Sequence, residues 1–456
     1  MRASDVSRVG KLARRTLHEG RGGRPAILEV VFVILSAAKD RLVFAWPLAL
    51  ALFLGQPSTD LSRQTLAPND GWASMTTGTT GGSAADPSHV FVVQDRRAFV
   101  AALGSGDTPK IIIVDGDIEG NVDDDGMPLG CDHYLTDGYT LNAYVQAYDP
   151  AVWGTTSVPS GAQEDARRAS QRKQASRVQI PVGSNTTIVG ANDAAFMIGV
   201  NLMLNGSDNI IIRNLNFSDA FDCFPQWDPT DGAQGNWNAQ YDNISLLGAT
   251  HVWIDHNAFD DGIHTDSAQP SYLGRPFQVH DGAVDITRGS DLVTVSWNQF
   301  TEHDKTMLIG STDAPTTDVG KLRVSIHHNL FAGIGQRGPR VRYGEVHVYN
   351  NVYDIFNPTS YVYSWGVGVD SKIFAENNVF IAQDVKPDQL VRVFNGTALH
   401  ATGTVFGPPG DFKPVEVVPA TLSNDVGWTP GQNLVIRFDP PSSALVDLLR
   451  NEAGPI

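Results

Sequence analysis

An asparagine followed two residues later by Phe or Tyr recurs five times in this chain, and this repeat constrains the fold more than any other feature. Each copy closes a short run of β-branched residues. The copies begin at Asn257, Asn298, Asn329, Asn351 and Asn378, so their spacings are 41, 31, 22 and 27 residues. A strand-rich unit that returns every 20 to 50 residues, roughly, is typical of a solenoid. The repeat therefore predicts a parallel β-helix whose uneven spacing comes from loops of different length.

In a β-helix each coil stacks on the next, so equivalent positions form columns of like side chains. Asparagine suits a tight turn because it tolerates the left-handed backbone region, and stacked amides can bond one another along the column. The aromatic residue two positions later would share the face of the asparagine if the strand continued, or enter the core after the turn. We expect one column of amides and one of aromatic rings.

Three long segments interrupt the repeat and are rich in Asp, Gly, Pro and Ser. We expect them to be loops without strands that project from one side of the solenoid and wall a cleft, since sites are commonly built on such loops. They span residues 218–240, 260–280 and 302–320.

Short helices are expected near both ends of the β-helix. Ser160 and Gln163 have the spacing of a capping box ahead of a polar helical run. The segment 442–454 (SSALVDLLRNEAG) predicts a short amphipathic helix that would cover an open end of the solenoid.

The N-terminal region differs from the rest of the chain. Lys39 and Arg41 precede the apolar run Leu42 to Leu54, a basic and then apolar order of secretory length that is short for a membrane span. We predict that residues 1–60 are an N-terminal extension with a secretion signal, that residues 61–456 form one β-helix domain, and that the mature protein is extracellular. The stretch before Lys39 is long for a signal, so an over-extended start or a membrane anchor are the alternatives.

Two cysteines, Cys131 and Cys223, are the whole sulfhydryl complement. A chain of this length needs no covalent staple to build a core, so we interpret them as two free, largely buried thiols. A single disulfide is the alternative.

Charge limits the partners of this protein. The formal net charge is −17, from 50 Asp and Glu against 33 Lys and Arg, which makes nucleic acid an unfavourable partner. A polyanionic sugar would also be repelled on average. Binding one would require a local group of cations or a bridging metal ion.

Carboxylates and cations are each concentrated in short segments. Asp281 and Asp285 are an even number of residues apart, so on a strand both would point to one face, where Ca²⁺ is the natural ion to lie between them. Solvated surface carboxylates are the alternative. Arg337, Arg340 and Arg342 crowd one segment, which favours an anion site over surface ion pairing, although the latter stays open.

The chain from about Leu61 to its end resembles the polysaccharide lyase family 1 pectate lyases, especially their secreted bacterial branch. The resemblance lies in the order and spacing of several short motifs. These are Asp242 in WNAQYD, Val252 to His256 (VWIDH), Asp281 with Asp285, His303 to Lys305 (HDK), and Arg337 to Arg342 (RGPRVR), which fits Arg-x-Pro-x-x-Arg.

This resemblance implies a right-handed, single-stranded parallel β-helix, all-β with long loops on one side. It also implies a monomeric, secreted, Ca²⁺-dependent enzyme that cleaves polygalacturonate by β-elimination and leaves 4,5-unsaturated products. By position, Asp242, Asp281 and Asp285 would ligate calcium, Lys305 and Arg342 would hold substrate carboxylates, and Arg337 would abstract the C5 proton. Nearby cations and Ca²⁺ are expected to lower the pKa of Arg337.

One departure concerns the metal ligands. Some family members carry a further acidic ligand at the position of Gln240, and Asn238 is the alternative oxygen donor here. The rivals are a pectin lyase, which lacks the calcium carboxylates, a polygalacturonase, which hydrolyses with paired carboxylates, and a non-catalytic β-helix that would not need Arg337 or Lys305.

Overall fold

The computed structural model describes residues 61–104, 106–314, 317–432, 434 and 438–456. The predicted extension and signal, residues 1–60, lie outside the described residues, so the predicted boundary stays a prediction. Within the described part, the chain winds into a right-handed parallel β-helix with three long sheets, which confirms the predicted fold class.

Each turn of the β-helix gives one strand to each sheet, and neighbouring strands within a sheet are parallel apart from a final antiparallel strand in sheet 2. Sheet 1 has ten strands: Val90–Val93, Lys110–Val114, Thr186–Gly190, Asp208–Arg213, Thr250–Asp255, Asp291–Ser296, Val324–His327, Glu345–Tyr349, Lys372–Glu376 and Leu399–Thr402. Sheet 2 has ten strands: Asp117–Glu119, Phe196–Ile198, Asn216–Ser218, Ala258–Asp260, Gln299–Thr301, Leu330–Ala332, Val352–Asp354, Val379–Ile381, Val405–Gly407 and Lys413–Pro414. Sheet 3 has eight strands: Gln179–Pro181, Asn201–Asn205, Ile244–Leu247, Val284–Thr287, Leu308–Ile309, Arg340–Val341, Trp365–Val367 and Val391–Val393.

Alternating aliphatic residues explain why these segments form buried strands. In sheet 1, Val252 and Ile254 point inward and are fully buried, and they lie beside Val293 and Val295 of the next coil. Successive side chains of a strand point to opposite faces, so inward residues of stacked coils form continuous aliphatic columns. Removing this apolar surface from water stabilises the solenoid by roughly 25 cal/mol per Å².

The five repeated asparagines form the predicted column between sheets 1 and 2. All five are buried. The Nδ2 of each of the first four donates to the Oδ1 of the asparagine one coil further along at 3.0 or 3.1 Å, which gives four side-chain links. The left-handed residue is the one before each column asparagine, for example His256 (φ 49°) and Trp297 (φ 55°). The asparagines therefore act through their amides, and the expectation that they themselves take the left-handed conformation was wrong.

The aromatic residues of the repeat turn into the core and stack. The stack begins with Phe217, which lies one coil before the first copy of the repeat and has its ring centroid 5.0 Å from that of Phe259. It ends with Tyr353 and Phe380, whose centroids are 4.5 Å apart. Ring planes in the column are within 13° of parallel. Such contacts add about 0.5–1.5 kcal/mol each beyond their buried area.

Helices lie mostly in the N-terminal half, and the predicted helix after Ser160 is present. It was predicted as a short helix but has 17 residues, and it begins at Ala162 with Gly161 as the capping residue, so the predicted capping box at Ser160 is absent. The α-helices are Arg96–Leu103, Cys131–Tyr134, Leu141–Ala147, Pro150–Trp153, Ala162–Val178 and Ser443–Glu452. The 3₁₀ helices are Leu61–Arg63, Trp72–Ser74, Pro87–His89, Asp266–Ala268, Pro387–Gln389 and Pro430–Gln432.

Cys131 and Cys223 form a disulfide, so the expectation of free thiols was wrong. The bond joins the start of the helix Cys131–Tyr134 to the loop that follows the sheet 2 strand Asn216–Ser218, across 92 residues of sequence. An aromatic cluster under the helices, with Tyr144, Trp227 and Trp237 fully or almost fully buried, holds this layer in place. The disulfide and this cluster together fix the helical layer to the β-helix.

Two further expectations need correction. The helix Ser443–Glu452 packs Leu445, Val446 and Leu449 against strands of sheet 2, so it covers a side of the solenoid and not an end. The long segments are not free of strands, since they contain the hairpins Gln226–Asp228 with Asn236–Asn238 and Ser271–Tyr272 with Arg275–Pro276, and the sheet 3 strand Leu308–Ile309. Among the described residues, no helix has the length and apolar character needed to cross a bilayer.

Candidate active site

Five of the six predicted site residues lie at or near the N-terminal ends of strands in the middle of sheet 3, and Arg342 directly follows one of these strands. They lie beside or within four consecutive strands of this sheet, which belong to four successive coils. Isolated parallel bridges from Gly282 to Lys305 and from Lys305 to Gln336 extend this ladder beyond the strands. Parallel stacking therefore brings together residues that are about 100 positions apart in sequence.

Asp242 and Asp285 are held in fixed orientations by neighbouring donors. Ser245 Oγ donates to Asp242 Oδ2 at 2.5 Å, and the Gly282 amide donates to Asp242 Oδ1 at 2.9 Å. The Leu308 amide donates to Asp285 Oδ1 at 3.0 Å. Both carboxylates keep further lone pairs that could bind a cation.

The acidic groups repel one another. Burial first, and then the charges of Asp285 and Asp281, raise the pKa of Asp242 well above its usual value. Burial and then the Asp281 charge raise the pKa of Asp285 to about 7. Such crowding of carboxylates is unfavourable unless a cation lies among them.

Gly282 leaves open the space between these two carboxylates. A Cβ atom at this position would lie 2.5 Å from Asp285 Oδ1 and 2.8 Å from Asp242 Oδ1. The residue type thus keeps a side chain out of the space beside two hard oxygen donors, which are the ligands that Ca²⁺ prefers. The donor set fits the ion that the sequence predicts.

Asp281 lies in the segment before the strand, and not on the strand as predicted. The strand begins at Val284, so Asp281 precedes it and the even-spacing argument does not apply. Its Oδ1 lies 3.5 Å from Lys305 Nζ, and Lys305 is buried apart from 7% of its surface. This ion pair links the acidic group to the cationic side of the site.

Arg337 lies in the turn before the strand Arg340–Val341 and has a left-handed backbone (φ 62°). Burial lowers the pKa of its guanidinium, but the charges of Asp281 and Asp285 outweigh burial and raise that pKa above its usual value. The predicted lowering of the Arg337 pKa is therefore absent while the charges of Asp281 and Asp285 are not balanced by a cation.

Arg342 is close in sequence but differently engaged. Its Nε donates to Asp313 Oδ1 at 2.6 Å and its Nη1 donates to the carbonyl of Gly310 at 2.8 Å. Asp313 is 45% exposed in its side chain, so this partner is one that an anionic ligand could replace. The structure brings Asp242, Asp281, Asp285, Lys305 and Arg337 together, and it directs the Arg342 side chain to Asp313.

His303 is a positioning residue that the sequence reasoning missed. One ring nitrogen, Nδ1, lies 2.5 Å from Asp261 Oδ1, and the other, Nε2, lies 3.0 Å from the backbone carbonyl of Asp281. The ring therefore braces the backbone that carries Asp281. Its place two residues before Lys305 was the available signal.

The two alternative oxygen donors lie on the adjoining hairpin. Asn238 pairs with Gln226 across the hairpin, and Gln240 is exposed while its backbone amide donates to Asp222 at 3.1 Å. Calcium ligation by Asn238 or Gln240 stays a prediction.

Comparisons with known proteins agree on one family. A family profile described as "Pectate lyase" matches residues 50–127 and 145–426. A pectate lyase of Bacillus subtilis (strain 168) is 48% identical over 395 residues, which cover 84% of this chain and 93% of the relative. Pectate lyase E of Dickeya chrysanthemi is 35% identical over 360 residues, covering 76% and 78%.

Solved structures give the same result for the fold. A pectate lyase bound to a hexasaccharide superposes with a TM-score of 0.83 at 46% identity, covering 87% of this chain and 99% of the other. A pectate lyase from Acidovorax avenae subsp. citrulli superposes with a TM-score of 0.78 at 33% identity, covering 88% and 98%.

Proposed function

This chain belongs to the pectate lyase family and is a pectate lyase, and from that premise we propose that it is a calcium-dependent enzyme that cleaves α-1,4-polygalacturonate by β-elimination. The observation that carries this proposal is the convergence of three carboxylates, a buried lysine and a partly buried arginine at the N-terminal ends of four strands of sheet 3. The products would be 4,5-unsaturated oligogalacturonides.

Asp242, Asp281 and Asp285 are the proposed calcium ligands. Their support is the oxygen donor set, the mutual repulsion that raises the pKa of Asp242 and Asp285 after burial, and the open space beside Gly282. Calcium bound there would balance the acidic charge and, as a Lewis acid, withdraw charge from the substrate's C6 carboxylate.

Lys305 and Arg342 are the proposed partners of substrate carboxylates. Lys305 is buried next to Asp281, so its charge is weakly screened by water and acts strongly on a nearby anion. Arg342 would exchange the exposed Asp313 for a galacturonate carboxylate, because its planar guanidinium can bind either group. Local cations of this kind allow an acidic protein to bind an acidic polymer.

Arg337 is the proposed base that accepts the C5 proton. That proton is α to the C6 carboxylate, and its removal is followed by cleavage of the bond from C4 to the glycosidic oxygen. A free arginine has a pKa above about 12, and here Asp281 and Asp285 hold the proton on more firmly. Arg337 can act as a base only where the charge on those acids is balanced, so the rate should rise into the alkaline range and require calcium.

An extracellular location of the mature, monomeric enzyme is part of the proposal, without stable membrane association. The apolar run Leu42 to Leu54 supports secretion. The disulfide between Cys131 and Cys223 supports an oxidising compartment.

The test is incubation with polygalacturonate at alkaline pH, with and without EGTA, following the UV-absorbing unsaturated product. We expect product only with calcium, and little product from fully methyl-esterified pectin. Product that is insensitive to EGTA would overturn the calcium role. Product mainly from the methyl ester would favour the pectin lyase alternative.

The base is tested by Arg337→Lys, which keeps the positive charge and removes the guanidinium. We expect kcat to fall by about 10²–10⁴-fold, the usual contribution of a general base. The control is Arg392→Lys, an exposed arginine on the neighbouring part of sheet 3 that stacks on Phe394. Unchanged activity in Arg337→Lys would refute the assignment of the base.

A further inference from the structure

A second group of metal-binding side chains lies beside the candidate active site and shares no residue with the proposed calcium ligands. It consists of Asp261, Asp266 and His280, whose ligand atoms all lie within 4.8 Å of one another. Asp261 follows a strand of sheet 2, Asp266 begins a 3₁₀ helix in the long loop, and His280 closes that loop. The three side chains therefore come from the two ends and the interior of the loop formed by residues 261–280.

The separations within this group are longer than hydrogen bonds and close to those of ligands around one ion. His280 Nδ1 lies 3.5 Å from Asp266 Oδ1 and 3.8 Å from Asp261 Oδ2. Hydrogen bonds from N–H to oxygen are about 2.7–3.2 Å long. Two ligands on a tetrahedral metal with bonds of about 2.0–2.2 Å lie roughly 3.3–3.6 Å apart.

Two polar atoms at this position are buried without a hydrogen-bond partner among the described residues. His280 is 4% exposed, and its Nδ1 has no partner although it faces the two carboxylates. Asp266 Oδ2 is likewise unpartnered, while its Oδ1 accepts from the backbone amide of Val279 at 2.9 Å. A buried polar atom without a partner is unfavourable by about 1–3 kcal/mol, and an ion would satisfy both.

The outer contacts orient the ligand atoms. The other ring nitrogen of His280, Nε2, lies 3.4 Å from Asp219 Oδ1, and this long contact leaves Nδ1 facing Asp261 and Asp266. Asp261 uses Oδ1 for His303 at 2.5 Å and so leaves Oδ2 facing His280. Histidine and carboxylate ligands are each held by a second residue, as is usual at metal sites.

A cavity adjoins two of the three side chains. Asp261 and Asp266 line a cavity of about 380 Å³ whose wall also includes His303 and Asp304. This cavity offers room for water as a fourth ligand. Because one ligand is an imidazole nitrogen, the group favours Zn²⁺ or a related transition ion over Ca²⁺, which takes oxygen ligands.

We propose that Asp261, Asp266 and His280 form a second metal site that binds a divalent transition cation of the Zn²⁺ class. The bound ion fixes the loop between residues 260 and 280 to the coil that carries Asp281. It competes there with a proton on His280, since the surrounding carboxylates favour positive charge of either kind.

The experiment is calorimetric titration of the chelator-stripped full chain with Zn²⁺ in excess Ca²⁺, which keeps the proposed calcium ligands occupied. We expect one equivalent of zinc, a rise in the thermal midpoint, and a zinc anomalous peak beside His280 Nδ1. Wild-type protein that binds no stoichiometric zinc under these conditions overturns the proposal and leaves a protonated imidazole at this position. Because lyase activity is not the readout, failure here is distinguishable from failure of the proposed function.

Variants identify the ligands. His280→Gln and Asp266→Asn should each weaken zinc binding by about tenfold or more. Asp266→Asn is nearly isosteric and keeps the oxygen that accepts from Val279, so it serves if His280→Gln does not fold. The matched control is Asp304→Asn, a carboxylate on the same cavity outside the group, which should bind zinc as the wild type does. Wild-type zinc affinity in both ligand variants would overturn the assignment.

Discussion

Replacing Gly282 by alanine tests the proposed metal site with the smallest possible change. The glycine is buried and its φ lies outside the left-handed region, so alanine can adopt the same backbone conformation. What changes is the space, because the new methyl group would lie 2.5 Å from Asp285 Oδ1 and 2.8 Å from Asp242 Oδ1. Both distances are shorter than any comfortable contact, so at least one carboxylate must rotate away.

The magnitude follows from what those carboxylates are bonded to. Asp242 would have to give up its hydrogen bond from Ser245 or from the Gly282 amide, and Asp285 its bond from the Leu308 amide. Displacing supporting contacts of a metal ligand weakens metal affinity by about 10–100-fold, which is about 1.4–2.7 kcal/mol of binding free energy. Overpacking should lower the free energy of unfolding by about 1–3 kcal/mol in addition.

The assay is calcium titration of the chelated protein by calorimetry, together with polygalacturonate cleavage as a function of calcium concentration. We expect Gly282→Ala to need about 10–100 times more calcium for half-maximal rate and to recover part of the rate at high calcium. The control is Gly431→Ala, since a Cβ at Gly431 meets nothing within 4 Å. A folded Gly282→Ala protein with wild-type calcium affinity would refute the placement of the ion between these two carboxylates.

Three further outcomes are expected. Replacing Cys131 and Cys223 by serine should lower the free energy of urea unfolding by about 2–5 kcal/mol, because the bond closes 92 residues, and a reductant that leaves wild-type stability unchanged would contradict this. Asn329→Ala, in the middle of the amide column, should lower it by about 1–3 kcal/mol, since bonds to both neighbouring coils are lost; unchanged unfolding would contradict a bonded column. Burial and then the Asp281 charge raise the pKa of Asp285 from 3.8 to about 7. Without metal, the charged form of Asp285 should therefore destabilise the protein as pH rises through that range. Thermal melts should therefore show a larger gain from calcium at about pH 8 than at about pH 5, and equal gains would contradict the coupling.

The fold could be predicted because a solenoid repeats its local chemistry. Every copy of the repeat presents the same requirement, a buried amide in the column and a ring in the core, so five weak signals point to one structure. What the repeat does not encode is where a segment without it packs. The helix Ser443–Glu452 has an apolar stripe that indicates burial, but it does not distinguish a side of the solenoid from an end.

The site was predicted less completely, for a physical reason. Sequence order and motif spacing predicted which acids and cations form the site, but only the stacking of coils decides which of them meet. Arg342 illustrates the difference, since its partner Asp313 comes from a loop with no recognisable motif. His303 and Asp261 are 42 positions apart, and no motif in either segment predicts their contact. The same holds for the pair of cysteines, whose pairing depends on how the helical layer lies on the β-helix.

The position of the acids affects the stability of the folded protein. Strands of adjacent coils lie about 4.8 Å apart, so side chains at matching places on two coils are held close to each other. Ser245 and Asp285 occupy such matching places, and Ser245 holds Asp242 toward Asp285. The ladder that makes the β-helix rigid therefore also prevents the acids from relaxing apart when no cation is present. Their repulsion then opposes folding, and a bound ion both relieves it and completes the catalytic group. If calcium is the proposed ion, we expect it to act both as a cofactor and as a stabilising ligand. The two effects should then share one calcium dependence, because both depend on the same three carboxylates.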